Sequence, residues 1–234
     1  MSVYEVSGST LSLRMCHGLF FSTYRLGQLG LAVSIAIFII CFAVLVTLGF
    51  TPLYYFDVQH LDLVGQSGFS YDQIVENYNY TIQYLINPLP QTFHLPSFDY
   101  SRAGRIHFQD VKRIFMAIEL LLVVSAIISV IGIFHKRKQR DFSFFKPTAI
   151  MLIMFTLLPL MMFAIDFDGT FILFHKLFFR NDYWVFNPQT DPIITILPEA
   201  FFLHAALLIL FMIVAAVCAI VIIAKQLKKR STSL

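Results

Sequence analysis

Charge is what this sequence has least of. Asp, Glu, Lys and Arg make up 13% of its 234 residues, against about 25% in an ordinary soluble domain. Hydrophobic residues reach 58%, and the mean hydropathy is +0.74. A chain of this length would otherwise be one or two soluble domains, and the shortage of charge excludes that as the first reading. Cysteine is also scarce. Cys41 and Cys218 lie inside apolar runs and Cys16 near the N-terminus, so none sits in a long polar segment and no disulfide framework or cysteine metal site is implied. Cys41 follows Phe38, Ile39 and Ile40, which lack the small residue that a lipoprotein processing site needs. There is no Gly-x-Ser-x-Gly elbow, no His-Glu-x-x-His motif, no internal repeat and no low-complexity stretch. The first absence argues against an acyl-enzyme serine, the second against the common zinc-protease helix.

What is abundant is long apolar runs. A helix needs about 20 apolar residues to cross the hydrocarbon layer, and four runs qualify: 29–50, 114–134, 148–165 and 201–224. The first is too long for the apolar core of a secretory signal and lacks a small-x-small cleavage site, so it reads as a retained helix. Glu119 interrupts the second, and Pro159 sits near the end of the short third.

The charges are sorted by position. Arg14 and Arg25 precede the first span. Lys136, Arg137, Lys138, Arg140 and Lys146 lie between the second and third, and Lys225, Lys228, Lys229 and Arg230 follow the fourth. By the positive-inside rule, segments 1–28, 135–147 and 225–234 are expected in the cytoplasm with both termini. Segments 51–113 and 166–200 are then extracytoplasmic. The net charge of +3 forms no nucleic-acid footprint, and no nucleic-acid partner is expected.

The outer segments carry their own structural signals. Ser70 followed by Gln73 suits a capping box, and Ile74, Tyr78, Ile82 and Leu85 mark one helical face up to Asn87-Pro88. Residues 94–108 read as two short strands around Ser101-Arg102-Ala103-Gly104. Asp168-Gly169-Thr170 is placed to cap a helix over 171–179. The expected fold is an all-α membrane protein, four transmembrane helices with a small extracytoplasmic α/β cap.

Two clusters could carry chemistry. Ile106-His107-Phe108-Gln109-Asp110-Val111-Lys112-Arg113 precedes the second span. If helical, His107 and Asp110 are one turn apart, and a carboxylate beside an imidazole sets its tautomer. The plainer reading makes Asp110 a helix cap, with Lys112 and Arg113 at the lipid headgroups. Phe174-His175-Lys176-Leu177-Phe178-Phe179-Arg180-Asn181-Asp182-Tyr183-Trp184 is the second cluster. Its plainer reading is a histidine packed in an aromatic core. Asn181, Asp182 and Trp184 follow at a distance suited to supporting His175. Two imidazoles at a membrane–water boundary suit proton transfer in both directions, and no outward nucleophile accompanies them.

A metal site is the rival use of His107, Asp110, His175, Asp182 and Asp191, but no tight ligand motif accompanies them. Glu119 is a functional candidate by position within a span, or one half of a buried ion pair with Lys112. Glu199, after Pro198, is either a helix cap or a site residue. His17, His60, His94, His135 and His204 are assigned no catalytic role.

The His107-to-Lys112 motif before a span, the Phe174-to-Trp184 motif, Asp191 and Pro198-Glu199-Ala200-Phe201-Phe202 together resemble the bacterial lipoprotein intramolecular transacylase family. The likeness covers nearly the whole chain, with four spans and long outer segments after the first and third. It implies a multi-pass protein of the bacterial cell membrane whose substrate is a diacylglyceryl-lipoprotein in the lipid bilayer. The reaction would move the sn-2 acyl chain to the α-amine of the N-terminal cysteine, giving the lyso form. The family's catalytic histidines would correspond to His107 and His175, with no cofactor and no metal. Phe108, Phe174, Phe178 and Trp184 would exclude water and hold acyl chains. Two alternatives stand beside this one: a metal-dependent membrane hydrolase of a lipid ester or phosphate, and a non-enzymatic transport or sensor subunit. A transporter would place polar groups at the bilayer midplane, where these spans are nearly bare.

Overall fold

The computed structural model describes the backbone of residues 7–232 and the side chains of residues 24–229. The side chains of Arg14, Cys16, His17 and Arg230 lie outside that description. Among the described residues there are nine helices and no strand: α1 (Ser7–Gly49), α2 (Thr51–His60), α3 (Leu63–Ser67), α4 (Tyr71–Ile86), α5 (Arg102–Lys138), α6 (Phe145–Ile165), α7 (Phe167–Phe178), α8 (Ile193–Ile196) and α9 (Glu199–Thr232). Four helical segments are long and apolar enough to cross a membrane: Tyr24–Gly49, Arg102–Lys138, Phe145–Ile165 and Glu199–Lys229. They match the four apolar runs of the sequence, because a helix satisfies its backbone polar groups internally where no water can.

Helix α1 is the hub. It packs along α5 and also meets α6 and α9, which pack on each other. Small residues bring α1 and α5 close, as they do between membrane helices generally. The Ser34 hydroxyl donates to the Ser125 carbonyl at 3.0 Å and meets the Ser129 hydroxyl at 3.0 Å. A β-carbon at Gly132 would come within 2.5 Å of Leu31, so glycine permits the approach.

At one end of the bundle α2, α3, α4, α8 and the start of α5 form a cap. Its core is aromatic: Tyr54 stacks on Tyr78 at 3.5 Å between ring centroids, and Phe93 stacks on Phe108 at 4.5 Å. The Asp57 carboxylate, fully buried, accepts from His204 Nδ1 at 2.8 Å and ties α2 to α9. The expected capping box forms, with Ser70 and Gln73 exchanging hydrogen bonds at the start of α4.

The cap is not α/β. The two strands expected over 94–108 are absent, and residues 87–100 carry no regular structure. Ser101 is instead the N-cap of α5, its hydroxyl accepting from the Gly104 N–H at 2.9 Å. Phe93 and Leu95 are buried in alternation, as in a strand, but their neighbours offer side chains rather than a ladder. The Tyr80 hydroxyl accepts from the His94 N–H at 2.9 Å and donates to the Thr92 carbonyl at 3.3 Å. The Asn77 amide donates to the Ser97 hydroxyl at 2.6 Å.

Helix α5 is 37 residues, about 55 Å at 1.5 Å per residue, against an apolar layer of about 30 Å. Its apolar run begins near Ile114, so the turns before it stand within the cap. Helix α7 begins earlier than expected, because Asp166 rather than Asp168 caps it, accepting from the Gly169 N–H at 2.9 Å. At the opposite end of the bundle, the loop between α5 and α6 centres on Asp141. Its carboxylate accepts from Tyr24 at 3.0 Å, from Lys136 at 3.1 Å, from Ser143 at 2.8 Å and from Gln28. Burial pulls its pKa upward, but the bonds from Ser143, Lys136 and Tyr24 outweigh that and hold it at about 2.

Candidate active site

The first turn of α5 is fastened by a buried carboxylate. Asp191 is 3% exposed. It accepts from the Ser101 N–H at 2.8 Å and from the Thr190 hydroxyl at 2.7 Å. A negative group at a helix N-terminus also favours the helix dipole. A β-carbon on Gly104 would meet the Asp191 oxygen at 2.2 Å, so the contact requires glycine there. One turn on stands His107. It is 8% exposed, and its Nδ1 is buried with no hydrogen-bond partner among the described residues. Phe179 and Phe186 meet its ring edge-on at 4.8 Å and 5.3 Å, and Phe108 lies at 5.8 Å.

His175 lies near the end of α7. Its Nδ1 is 2.8 Å from the Phe171 carbonyl oxygen. A carbonyl accepts and never donates, so the proton of the neutral ring is on Nδ1 and the lone pair on Nε2. Burial lowers its pKa from the ordinary value, and the bond to Phe171 offsets part of that. Phe171 at 4.3 Å, Trp184 at 4.8 Å, Phe179 at 5.6 Å and Phe174 at 5.7 Å surround the ring.

The two imidazoles are neighbours. Their centroids are 6.0 Å apart and their planes 30° from parallel, although 68 positions separate them in the chain (175 minus 107). Phe179 touches both. A polar tether also joins their two supports. The Asn181 amide donates to Asp110 at 3.1 Å, while Arg113 pairs with the other carboxylate oxygen at 2.6 Å. Asp110 therefore holds the segment after α7 against α5 rather than hydrogen-bonding His107.

The remaining sequence candidates are more dispersed. Lys112 does not meet headgroups: it is buried, donates to the Leu89 carbonyl at 3.0 Å and lies 4.4 Å over the Tyr84 ring. Phe178 packs on Phe174 at 4.6 Å. Asp182 accepts through its backbone carbonyl from the Val185 N–H at 3.1 Å. Glu199 opens α9 near the Asp168 carboxylate at the start of α7. Phe171, Phe179 and Phe186 are not among the sequence candidates, yet they form much of the wall. Phe171 stands one helical turn before His175, and that spacing is the available signal. Phe186 shows no such periodicity.

Neither imidazole hydrogen-bonds a Ser, Thr or Cys side chain among the described residues, so no nucleophile–base pair of the acyl-enzyme kind is assembled. Among the described residues no group of three or more His, Cys, Asp or Glu converges to hold a metal ion. The arrangement offers two titratable rings, one with a preset acceptor nitrogen, inside an aromatic wall.

Comparison with known proteins identifies the family. The family described as lipoprotein intramolecular transacylase Lit matches residues 29–202. A solved structure of the membrane-integral lipoprotein intramolecular transacylase Lit from Bacillus cereus is 37% identical, with a TM-score of 0.87, covering 90% of this chain and 98% of that one. Two further structures of that protein carry a single histidine replaced by arginine or by alanine. The arginine variant is 37% identical, with a TM-score of 0.83, covering 93% of this chain and 99% of its own. The alanine variant is 36% identical, with a TM-score of 0.83, covering 93% of this chain and 100% of its own. No curated protein matches the sequence. With a family match over most of its length and a solved relative of the same fold across nearly all of it, the chain belongs to the lipoprotein intramolecular transacylase family.

Proposed function

We propose that the chain moves an acyl chain within one membrane-bound lipoprotein, from the sn-2 oxygen of the diacylglyceryl group to the α-amine of the N-terminal cysteine, with His107 and His175 as its acid–base pair. The observation that carries the reading is the 6.0 Å juxtaposition of the two rings in an aromatic pocket without a hydroxyl or thiol partner. Family membership supplies the reaction class.

A free α-amine titrates at about 8, so a base that keeps its lone pair free speeds attack. His175 suits that role, because its Nδ1–H is committed to Phe171 and its Nε2 is left to accept. The amine nitrogen attacks the ester carbonyl carbon as His175 removes a proton from it. The new N–C bond forms, the C–O bond to glycerol breaks, and the glyceryl oxygen takes a proton, with His107 attending it. One proton leaves nitrogen and one reaches oxygen, so the reaction consumes no water. Both reacting groups belong to one molecule, so positioning contributes much of the acceleration. Phe108, Phe171, Phe179, Phe186 and Trp184 keep water from competing for the ester. Asp191, Asp110 and Asn181 position the two histidines through the contacts described above. The basic loop between α5 and α6 and the basic end of α9 support cytoplasmic termini and an extracytoplasmic site.

Metal-dependent hydrolysis and transport are not favoured, since the family is one of transacylases. A mass measurement separates transfer from hydrolysis. Purified protein in vesicles is given a synthetic diacylglyceryl lipopeptide. Transfer is an isomerisation: the mass stays constant, the amine becomes unreactive to acylating reagent, and fragmentation finds the acyl group on nitrogen. Loss of one acyl mass with a free amine overturns the reading.

A further inference from the structure

Helix α7 is apolar on both faces. One face carries Phe171 and His175 toward the site, where Phe171 meets Phe202 of α9 at 5.4 Å. The other carries Leu173, Phe174 and Leu177, and the helix has no fully buried residue. Leu177 is 75% exposed and Leu173 53%. The helix also carries Asp168 and Lys176, so it is amphipathic, and a broad exposed apolar face of this kind is stable only when something apolar covers it. At 12 residues α7 is about 18 Å long, too short to cross a bilayer of about 30 Å. It follows α6, a spanning helix whose last residue, Ile165, is 82% exposed. The uncovered face of α7 therefore continues from a surface that lipid already covers. Polar groups flank it where an interface would have them: Asp166 and Asp168 at its start, and Lys176 and Arg180 at its end, the latter pair suited to lipid phosphates.

We propose that α7 is an interfacial helix whose Leu173–Phe174–Leu177 face is covered by the acyl chains of surrounding phospholipids, and that this sets the depth of His175 at the layer of glyceryl esters. The proposal rests on the transacylase reading for its purpose. The reacting ester of a diacylglyceryl lipoprotein lies at the depth of the glyceryl esters of neighbouring lipids. A histidine carried by a helix lying at that level meets the ester without the acyl chains leaving the bilayer. The inner face of α7 then belongs to the reaction and the outer face to the membrane, with Phe174 at the border, touching His175 and half exposed.

The chain's single tryptophan is Trp184, 4.8 Å from the His175 ring, so its fluorescence reports the depth of the site in the unmodified protein. In vesicles of phosphatidylcholine brominated at defined acyl positions, bromines near the glycerol end are expected to quench Trp184 most. Bromines near the methyl end should quench it weakly. Dominant quenching from the methyl end overturns the depth. Quenching by aqueous iodide without quenching by brominated lipid overturns membrane contact. Disulfide-linked dimers of Leu177→Cys in vesicles, without lipid quenching, would make a second copy the occupant and also overturn it. Leu173→Asn with Leu177→Asn is expected to lose most transfer in vesicles and to recover it in detergent micelles, which reshape around the polar face. Equal activity in both media counts against α7 as the depth-setting element. Strong glycerol-end quenching in a protein that performs no transfer would remove the transacylase reading and leave the placement of α7 standing.

Discussion

The two ends of the helical bundle treat their polar atoms in opposite ways. At the loop end, Asp141 collects donors from α1, from α5 and from its own loop; the Oε1 of Gln28 is the one buried side-chain atom there without a partner among the described residues. At the cap end, His107 keeps a buried nitrogen unpartnered, and His175 commits one nitrogen and leaves the other open. The Asp141 carboxylate is committed to joining helices, whereas the open imidazole nitrogens face a second titratable ring. Unused polar capacity inside an apolar wall costs stability, and beside a second imidazole it is the capacity that the proposed transfer would use. On the proposed function, the molecule separates holding from reacting along its long axis.

That contrast breaks most visibly at the histidines. Replacing either His107 or His175 by Asn is expected to lower transfer about 10²–10⁴-fold, the range for removing a general acid or base, with the fold intact by circular dichroism and Trp184 emission. Next comes Asp191→Ala, which leaves the Ser101 N–H without its acceptor. A loss of about 1–3 kcal/mol in stability is expected, with up to about 10²-fold in kcat if α5 shifts by an ångström. Asp191→Asn should recover part of both, because an amide oxygen still accepts. A smaller effect concerns pH. Burial lowers the His175 pKa from 6.5, so the ring is neutral at pH 7 and remains a base on mild acidification. The acid limb of the rate profile is therefore expected below 6.5 and should vanish with the residual activity of His175→Asn.

The smallest effect on activity sharpens the other side of the comparison. Asp141→Ala should lower the melting temperature and leave turnover per folded molecule unchanged. The folded Asp141 carboxyl is held at about 2, against 3.8 for an unperturbed aspartate. Its contribution is therefore present above 3.8 and lost as pH falls from there toward about 2. The melting temperature measured through that window should drop more steeply for wild type than for Asp141→Ala.

Much of this is legible in the residues. Run length identifies the four helices long and apolar enough to cross a membrane, because the bilayer leaves a helix few alternatives. Ser70 and Gln73 announce the start of α4, a signal local to four residues. His107 and His175 stand out as titratable groups beside spans. The stretch over 94–108 misleads because Ser101-Arg102-Ala103-Gly104 looks like a turn between strands, whereas a ladder depends on a partner segment that local pattern cannot reveal. Ser101 and Gly104 read equally well as a turn and as a helix cap, and Asp191, 90 positions away, decides for the helix. The one-turn spacing points Asp110 at His107, yet Arg113 and Asn181 engage it. Phe179 follows His175 by one helical turn, but its contact with His107, like the placement of Phe186, comes from tertiary packing that no spacing in the chain encodes.

The central claim is that His107 and His175 together move an acyl group between two atoms of one lipoprotein. Its most direct test sets wild type beside His107→Asn and His175→Asn, each in vesicles with a diacylglyceryl lipopeptide, with mass and amine reactivity followed over time. Wild type is predicted to yield an N-acylated isomer of unchanged mass, and each folded variant to leave the amine free. A variant that forms the isomer at the wild-type rate would contradict the account.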